Sequence, residues 1–187
     1  VASVWGKFED QQRVQWDCDP LDRIGPVAFG MRHQEVSAAV GAHFDEKPIA
    51  LTPEGAVIYS EFAIKDARFL APSSAMTAYY DTSERLYCVA INARYGPQVS
   101  LDGLRLVGRI PSEVEDEFTS YLEERSLRLV FSQFWDPSAP EIGLVIRAQR
   151  VDDVVLSRPV FVSREYSEGC GDVASERIPP EEWRRYS

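Results

Sequence analysis

Gly103-Leu-Arg-Leu-Val-Gly-Arg-Ile-Pro-Ser-Glu-Val-Glu-Asp-Glu-Phe-Thr-Ser-Tyr-Leu122 reads as a short extended segment running into a helix, and the rest of the chain is arranged around it. Ser112 stands three residues before Glu115, the Ser-x-x-Glu spacing in which a hydroxyl caps the first turn and a carboxylate returns the bond. Val114, Phe118, Tyr121 and Leu122 fall on one helical stripe, so the helix is expected to pack by one side. Glu113, Glu115, Asp116, Glu117, Glu123 and Glu124 spread over the remaining faces. The early carboxylates suit the positive end of the helix dipole, and Arg125 and Arg128 offset those near its end.

Shifted by about 78 positions, Gly25, Gly30, Glu35 and Val36 fall on Gly103, Gly108, Glu113 and Val114, and Val40 falls on Phe118. The recurrence predicts an α+β fold of two tandem units, each a short helical segment packed on an antiparallel sheet. Residues 1–20 are then an N-terminal extension, 21–98 the first unit, 99–166 the second, and 167–187 a peripheral tail with Gly169, Gly171, Pro179 and Pro180.

Along the chain, Trp5, Phe8 and Trp16 are expected to pad the core from a first helix or strand. Pro26 keeps Gly25 extended, helix is expected over 31–40, and Gly41 ends it. Pro48, Pro53 and Pro72 break up an irregular connection holding two apolar islands, 56–59 and 62–64. Residues 76–80, 81–84 and 85–95 read as strand, turn and strand, with Tyr87, Val89, Ile91, Ala93 and Tyr95 on one face, taken as the core side. Leu127, Leu129 and Phe131 alternate, as do Ile142, Leu144, Ile146 and Ala148, which predicts strands with one buried face. Between them 134–140 is expected to be a loop; a polar turn at Asp152-Asp153 precedes a last strand over 160–166.

At 187 residues the chain is long enough for a sizeable core, and 44% apolar with 27% charged residues is an ordinary globular balance. The net charge of −10 argues against a nucleic-acid partner and favours a basic protein. No run approaches a membrane span, so no membrane is expected for the given chain. Cys18, Cys88 and Cys170, odd in number and widely spaced, suit a reducing compartment, and a cytoplasmic location is expected, or an exported or anchored one if a leader was trimmed.

Ile24-Gly-Pro-Val-Ala-Phe-Gly-Met-Arg-His-Gln-Glu-Val36, followed by Val40-Gly41, resembles the Gly-Met-Thr-x-x-Glu-Val-x-x-x-Leu-Gly signature of the small outer-membrane assembly lipoproteins. The resemblance extends to the superfamily they share with the β-lactamase inhibitor proteins, and to actinobacterial proteins with a Tyr-Tyr-Asp hairpin like Tyr79-Tyr80-Asp81. Arg32 stands where that signature has the helix-capping Thr, and no lipid-bearing cysteine opens the sequence. The resemblance implies a binding protein whose sheet is the working surface, and it brings no catalytic residue.

The sequence offers little reaction chemistry. His33 and His43 are the only histidines, no Cys-x-x-Cys occurs, and neither a metal nor a cofactor is expected. Ser73 and Ser74 lack a Gly-x-Ser-x-Gly context, and Cys88 sits mid-strand, where a buried inert thiol is the plainer reading. Gly169-Cys-Gly-Asp-Val-Ala174 matches the letters of a dinucleotide fingerprint but lacks the following helix and strand.

The leading expectation is therefore a non-enzymatic protein-binding module, an inhibitor or immunity-type protein that occludes a basic partner through its sheet face and acidic helix. Its expected contact residues are Tyr79, Arg85 and Tyr87 on the first sheet, Phe134 and Trp135 in a loop, and Glu117 and Glu124 on the helix. For the tyrosines and the Phe134-Trp135 pair, the plainer alternative is packing against the core. The competing expectation is a small-molecule-binding domain or small enzyme with a pocket between the sheet and the 42–75 connection, and a structural module of a larger assembly is a third.

Overall fold

The computed structural model describes residues 6–47, 49–65 and 74–185. Trp5, Pro48, Pro72 and Ser73, singled out above, lie outside the described residues. The elements run β1 (Gln15–Asp19), β2 (Arg23–Ile24), β3 (Val27–Ala28), α1 (His33–Val40), β4 (Phe44–Glu46), β5 (Ala50–Leu51), β6 (Val57–Ile64), β7 (Ser74–Tyr80) and β8 (Leu86–Ile91). They continue with β9 (Gln98–Leu101), β10 (Leu104–Arg105), α2 (Pro111–Glu124), β11 (Val130–Phe131), β12 (Pro137–Ala139), β13 (Leu144–Val151), β14 (Val154–Val162), α3 (Arg164–Ser167) and α4 (Pro180–Arg184). The fold is α+β.

Most strands join one antiparallel sheet in the order β11-β12-β13-β14-β8-β7-β6, with β4 and β5 one after the other along the outer edge of β6, β4 on Phe62 to Ile64 and β5 on Val57 and Tyr59. Its centre is a seam between β8 and β14, where Cys88, Val89 and Ala90 face Val162, Phe161 and Val160. A smaller sheet, β10-β9-β1-β2-β3, sets β1 parallel to β9, so the expected N-terminal extension supplies an interior strand.

Helices α1 and α2 cover one face of the large sheet. Val36 and Val40 of α1 and Val114, Phe118 and Leu122 of α2 are buried with Phe62, Met76, Ile91, Leu144, Ile146 and Phe161. The stripe of the quoted stretch is thus the core side of α2, but its start is not the expected one. Pro111 occupies the first helical position after an extended Ile110, and no side chain caps the end. The proline ring presets φ and needs no N–H partner there, so Ser112 has no capping task. At α1, Arg32 takes the cap position without accepting a bond, and Glu35 supplies the half of the motif that remains, accepting from the Arg32 N–H at 2.7 Å.

The opposite face is covered by the segment from Arg164 to Arg185, which corrects the expectation of a peripheral tail. Cys170, Ile178 and Trp183 pack on Tyr79, Cys88, Ala90, Val145, Val160 and Val162 as a second core. Glu182, wholly buried, accepts a 2.6 Å hydrogen bond from the Tyr79 hydroxyl and pairs with Arg158, itself 2% exposed. Arg185 reaches Glu61 on β6 at 2.5 Å.

Three further expectations change. The islands at 56–59 and 62–64 form one eight-residue strand, β6, because its polar interior is partnered: Ser60 Oγ lies 3.1 Å from the Tyr80 hydroxyl and Glu61 meets Arg185. The expected 134–140 loop contains a strand, β12. Tyr87 does not share a face with Val89. The pairing jumps from Tyr79–Cys88 to Tyr80–Leu86, so Tyr87 is an extra residue in a bulge and turns toward the second core, against Tyr166 at 4.3 Å between ring centres.

Candidate functional site

The hairpin between β11 and β12 concentrates the features of a contact site. Its loop, Ser132 to Asp136, closes with the Ser132 N–H donating to the Asp136 carbonyl and the Trp135 N–H to the Ser132 carbonyl, each at 3.0 Å. The Ser132 hydroxyl oxygen accepts from the amides of Phe134 (3.0 Å) and Asp136 (3.1 Å), and its O–H donates to the Asp136 carboxylate at 3.0 Å. The backbone is thus held from inside by one serine.

Trp135 occupies the left-handed region, φ 64°, the position such a hairpin turn ordinarily gives to glycine or asparagine. A bulky side chain there costs about 1 kcal/mol, and the indole gains no burial in return, being 80% exposed. Phe131 (40% exposed) lies 6.3 Å from the Trp135 ring, and Phe134 (56% exposed) lies 6.2 Å from the buried Trp183 ring. The three rings make an aromatic surface at the edge of the large sheet.

The hairpin has a polar foundation. Asp136 is buried, and its Oδ2 lies 3.4 Å from Arg147 Nε. Burial pushes the Asp136 carboxyl above its ordinary range, against the opposing pull of Arg147 and the Ser132 hydroxyl. Burial likewise lowers the Arg147 guanidinium from its ordinary value, against Asp136. Arg147 spans outward as well, donating to the carbonyls of Glu182 (2.6 Å) and Trp183 (3.2 Å).

The expected contact residues separate. Phe134 and Trp135 are exposed together on the hairpin. Tyr79 is 1% exposed beneath α4, which removes it from any surface; burial first and Glu182 second push its hydroxyl far above the ordinary tyrosine value. Tyr87 is half-buried against Tyr166, and burial raises it too. Arg85 donates to the Gly30 carbonyl at 3.0 Å and ties the β7–β8 turn to the approach to α1, away from the hairpin. Glu117 is engaged by both terminal nitrogens of Arg109 (2.8 and 2.6 Å), whose hydrogen bonds hold its carboxyl below the usual range. Glu124 is exposed, with Arg125 at 3.5 Å.

Asp136 and Arg147 complete the hairpin site and were not singled out from the sequence, and Phe131, expected on a buried strand face with Leu127 and Leu129, is exposed there instead because β11 is the edge strand of the sheet. The one signal was Asp136 directly after the aromatic pair. A separate groove of about 630 Å³ lies between β1, the β2–β3 turn and the end of α1, lined in part by Trp16, Cys18, Arg23, Pro26 and His43. It includes none of Tyr79, Phe134 and Trp135. Among the described residues, no three His, Cys, Asp or Glu side chains gather as metal ligands, and no helix is long and apolar enough to cross a membrane. No family model, curated protein or solved structure matches the chain.

Proposed function

We propose that this chain is a non-enzymatic protein-binding module of inhibitor or immunity type, and that its contact element is the β11–β12 hairpin rather than the expected sheet face, since α1 and α2 pack on one side of the sheet and the Arg164–Arg185 segment on the other. The observation carrying the reading is Trp135: an indole 80% exposed, in a strained conformation, on a loop fixed from inside by Ser132 and Asp136. Rigid exposed aromatics supply most of the energy at protein interfaces, and backbone strain kept at a surface points to use. The partner is a protein with lysine or arginine beside an apolar residue. The chain's net charge of −10 would steer it in, and the faces of Trp135 and Phe131 suit a cation–π contact.

The resemblance of the α1 signature to the superfamily of assembly lipoproteins and β-lactamase inhibitor proteins belongs to this proposal, as do two tandem units. In their favour, a helix followed by strands occurs on both sides of the β8–β14 seam. A cytoplasmic location is part of the same reading, and the three cysteines being free thiols is consistent with it.

The test is co-purification from cell lysate with wild-type chain and Trp135→Ala in parallel, followed by titration of the purified partner. Truncation of a central aromatic is expected to weaken binding by about 2 kcal/mol or more, some thirtyfold. The on-rate should fall with added salt. Equal affinity of Trp135→Ala for the same partner would overturn the reading.

A further inference from the structure

We infer that Arg147 is a positioning residue for the aromatic hairpin, and that docking of the Arg164–Arg185 segment and partner binding at the hairpin are coupled. The inference rests on the reading of the hairpin as the contact element, and it concerns how that site is regulated.

Three separate links join the hairpin to this segment. The first is Arg147, 5% exposed, with Nε on Asp136 and its two terminal nitrogens on the carbonyls of Glu182 and Trp183; its guanidinium carbon also lies 5.0 Å from the centre of the Trp183 ring. The second is the Gln133 side chain, which donates to the Asp172 carboxylate at 2.6 Å and accepts from the Val173 amide at 2.9 Å. The third is the contact of Phe134 with Trp183. The backbones also approach closely, since a Cβ at Gly171 would run into the Ser138 side chain on β12.

A five-residue loop with one residue in the left-handed region would relax if released, and a relaxed loop must be reordered at the moment of binding. Held by these links, the hairpin has already met that ordering cost. Coupling is reciprocal by thermodynamic necessity: a partner gripping the hairpin tightens α4, and whatever pulls α4 from the sheet weakens the partner's grip. An acidic chain with two arginines buried under α4 has the means for such a contact, because both bond acceptors supplied by that helix and the Glu182 carboxylate converge on Arg147 and Arg158.

Hydrogen exchange on the full chain, with no partner present, tests the coupling by itself. Arg147→Lys keeps a charge but replaces a three-point bridge by one ammonium. Gln133→Ala removes the second link at an exposed position and leaves no charge buried, so it folds even if the first variant does not. Both are expected to speed exchange of the Phe134, Trp135 and Asp136 amides about ten- to hundredfold, the range set by losing one hydrogen bond to a charged or well-ordered group. Arg147→Lys should also loosen the Arg185 amide, while amides paired between β13 and β14 stay within about twofold. Unchanged hairpin exchange in both variants, or an equal rise throughout the sheet, overturns the inference. Neither outcome bears on whether Trp135 contacts a partner, which the binding titration decides on its own.

Discussion

Replacing Glu182 by alanine probes the contact that fixes α4 to the sheet. The carboxylate is wholly buried, pairs with a guanidinium that is 2% exposed, and accepts the Tyr79 hydroxyl at 2.6 Å. Truncation leaves the Arg158 charge in a desolvated site, a loss of about 3–5 kcal/mol. It also orphans the phenol, for about 1–3 kcal/mol. The two overlap because both partners engage the one Glu182 carboxylate, so about 4 kcal/mol in total is expected. That is roughly a third or more of the stability of an ordinary domain. With a urea slope of about 2 kcal/mol per molar, the unfolding midpoint should fall by about 2 M. Glu182→Leu combined with Arg158→Met removes both charges and is expected to recover the part of the loss due to the unpaired guanidinium, since matched apolar groups of similar volume replace a buried pair at little cost, while the Tyr79 hydroxyl still lacks its acceptor. A cost below about 1 kcal/mol for Glu182→Ala, or a double variant no more stable than the single one, would refute the reasoning.

Trp135→Gly should raise stability by about 0.5 kcal/mol, because glycine adopts the left-handed position without strain, while partner retention is lost; urea unfolding and co-purification read the two separately. Burial holds the hydroxyls of Tyr79 and Tyr87 well above the ordinary value and that of Tyr80 up to about 12. The folded state therefore keeps protons that the unfolded chain releases near pH 10, and the stability these groups contribute is lost as pH rises above that point. Absorbance titration should show them ionising only as circular dichroism is lost, and early ionisation with the fold intact would contradict their burial. Asp10 is held low by Gln98 first and then Arg105, and Glu117 by Arg109. Their contribution is present above ordinary carboxylate values and lost as pH falls through the lowered ones, so Glu117→Gln should flatten the acid side of a thermal-stability profile by a few tenths of a kcal/mol, as befits an exposed pair.

Periodic elements were legible and partnered ones were not. Val114, Phe118 and Leu122 announced the core side of α2 because a helix repeats its contacts at a fixed interval. Ser60 and Glu61 broke β6 into two islands on paper, since the groups that satisfy them, Tyr80 and Arg185, come from other parts of the chain. The bulge at Tyr87 reversed an alternation that looked regular. Ile178, Glu182 and Trp183 follow no period, and their burial is decided by Arg147 and Arg158 on neighbouring strands, a pairing no local pattern encodes. In the candidate site, Phe134 and Trp135 were visible as aromatics in a turn. The anchor, Asp136 on Arg147, needed the register of β12 against β13 to be seen.

The seam between β8 and β14 has a consequence for how the molecule comes apart. Most neighbours on either side of it are close in sequence, but the seam itself joins residues 88–90 to 160–162, so it closes only after a long stretch of chain has been ordered. Both hydrophobic cores cross it: Val89 with Phe161 on the helical face, Cys88 with Val162 beneath α4. Neither flank can shed its partner without exposing both layers at once. Denaturation followed by helical circular dichroism and by tryptophan fluorescence should therefore give one midpoint. Refolding should be set by this distant closure, on the millisecond-to-second scale of sheets with non-local pairing.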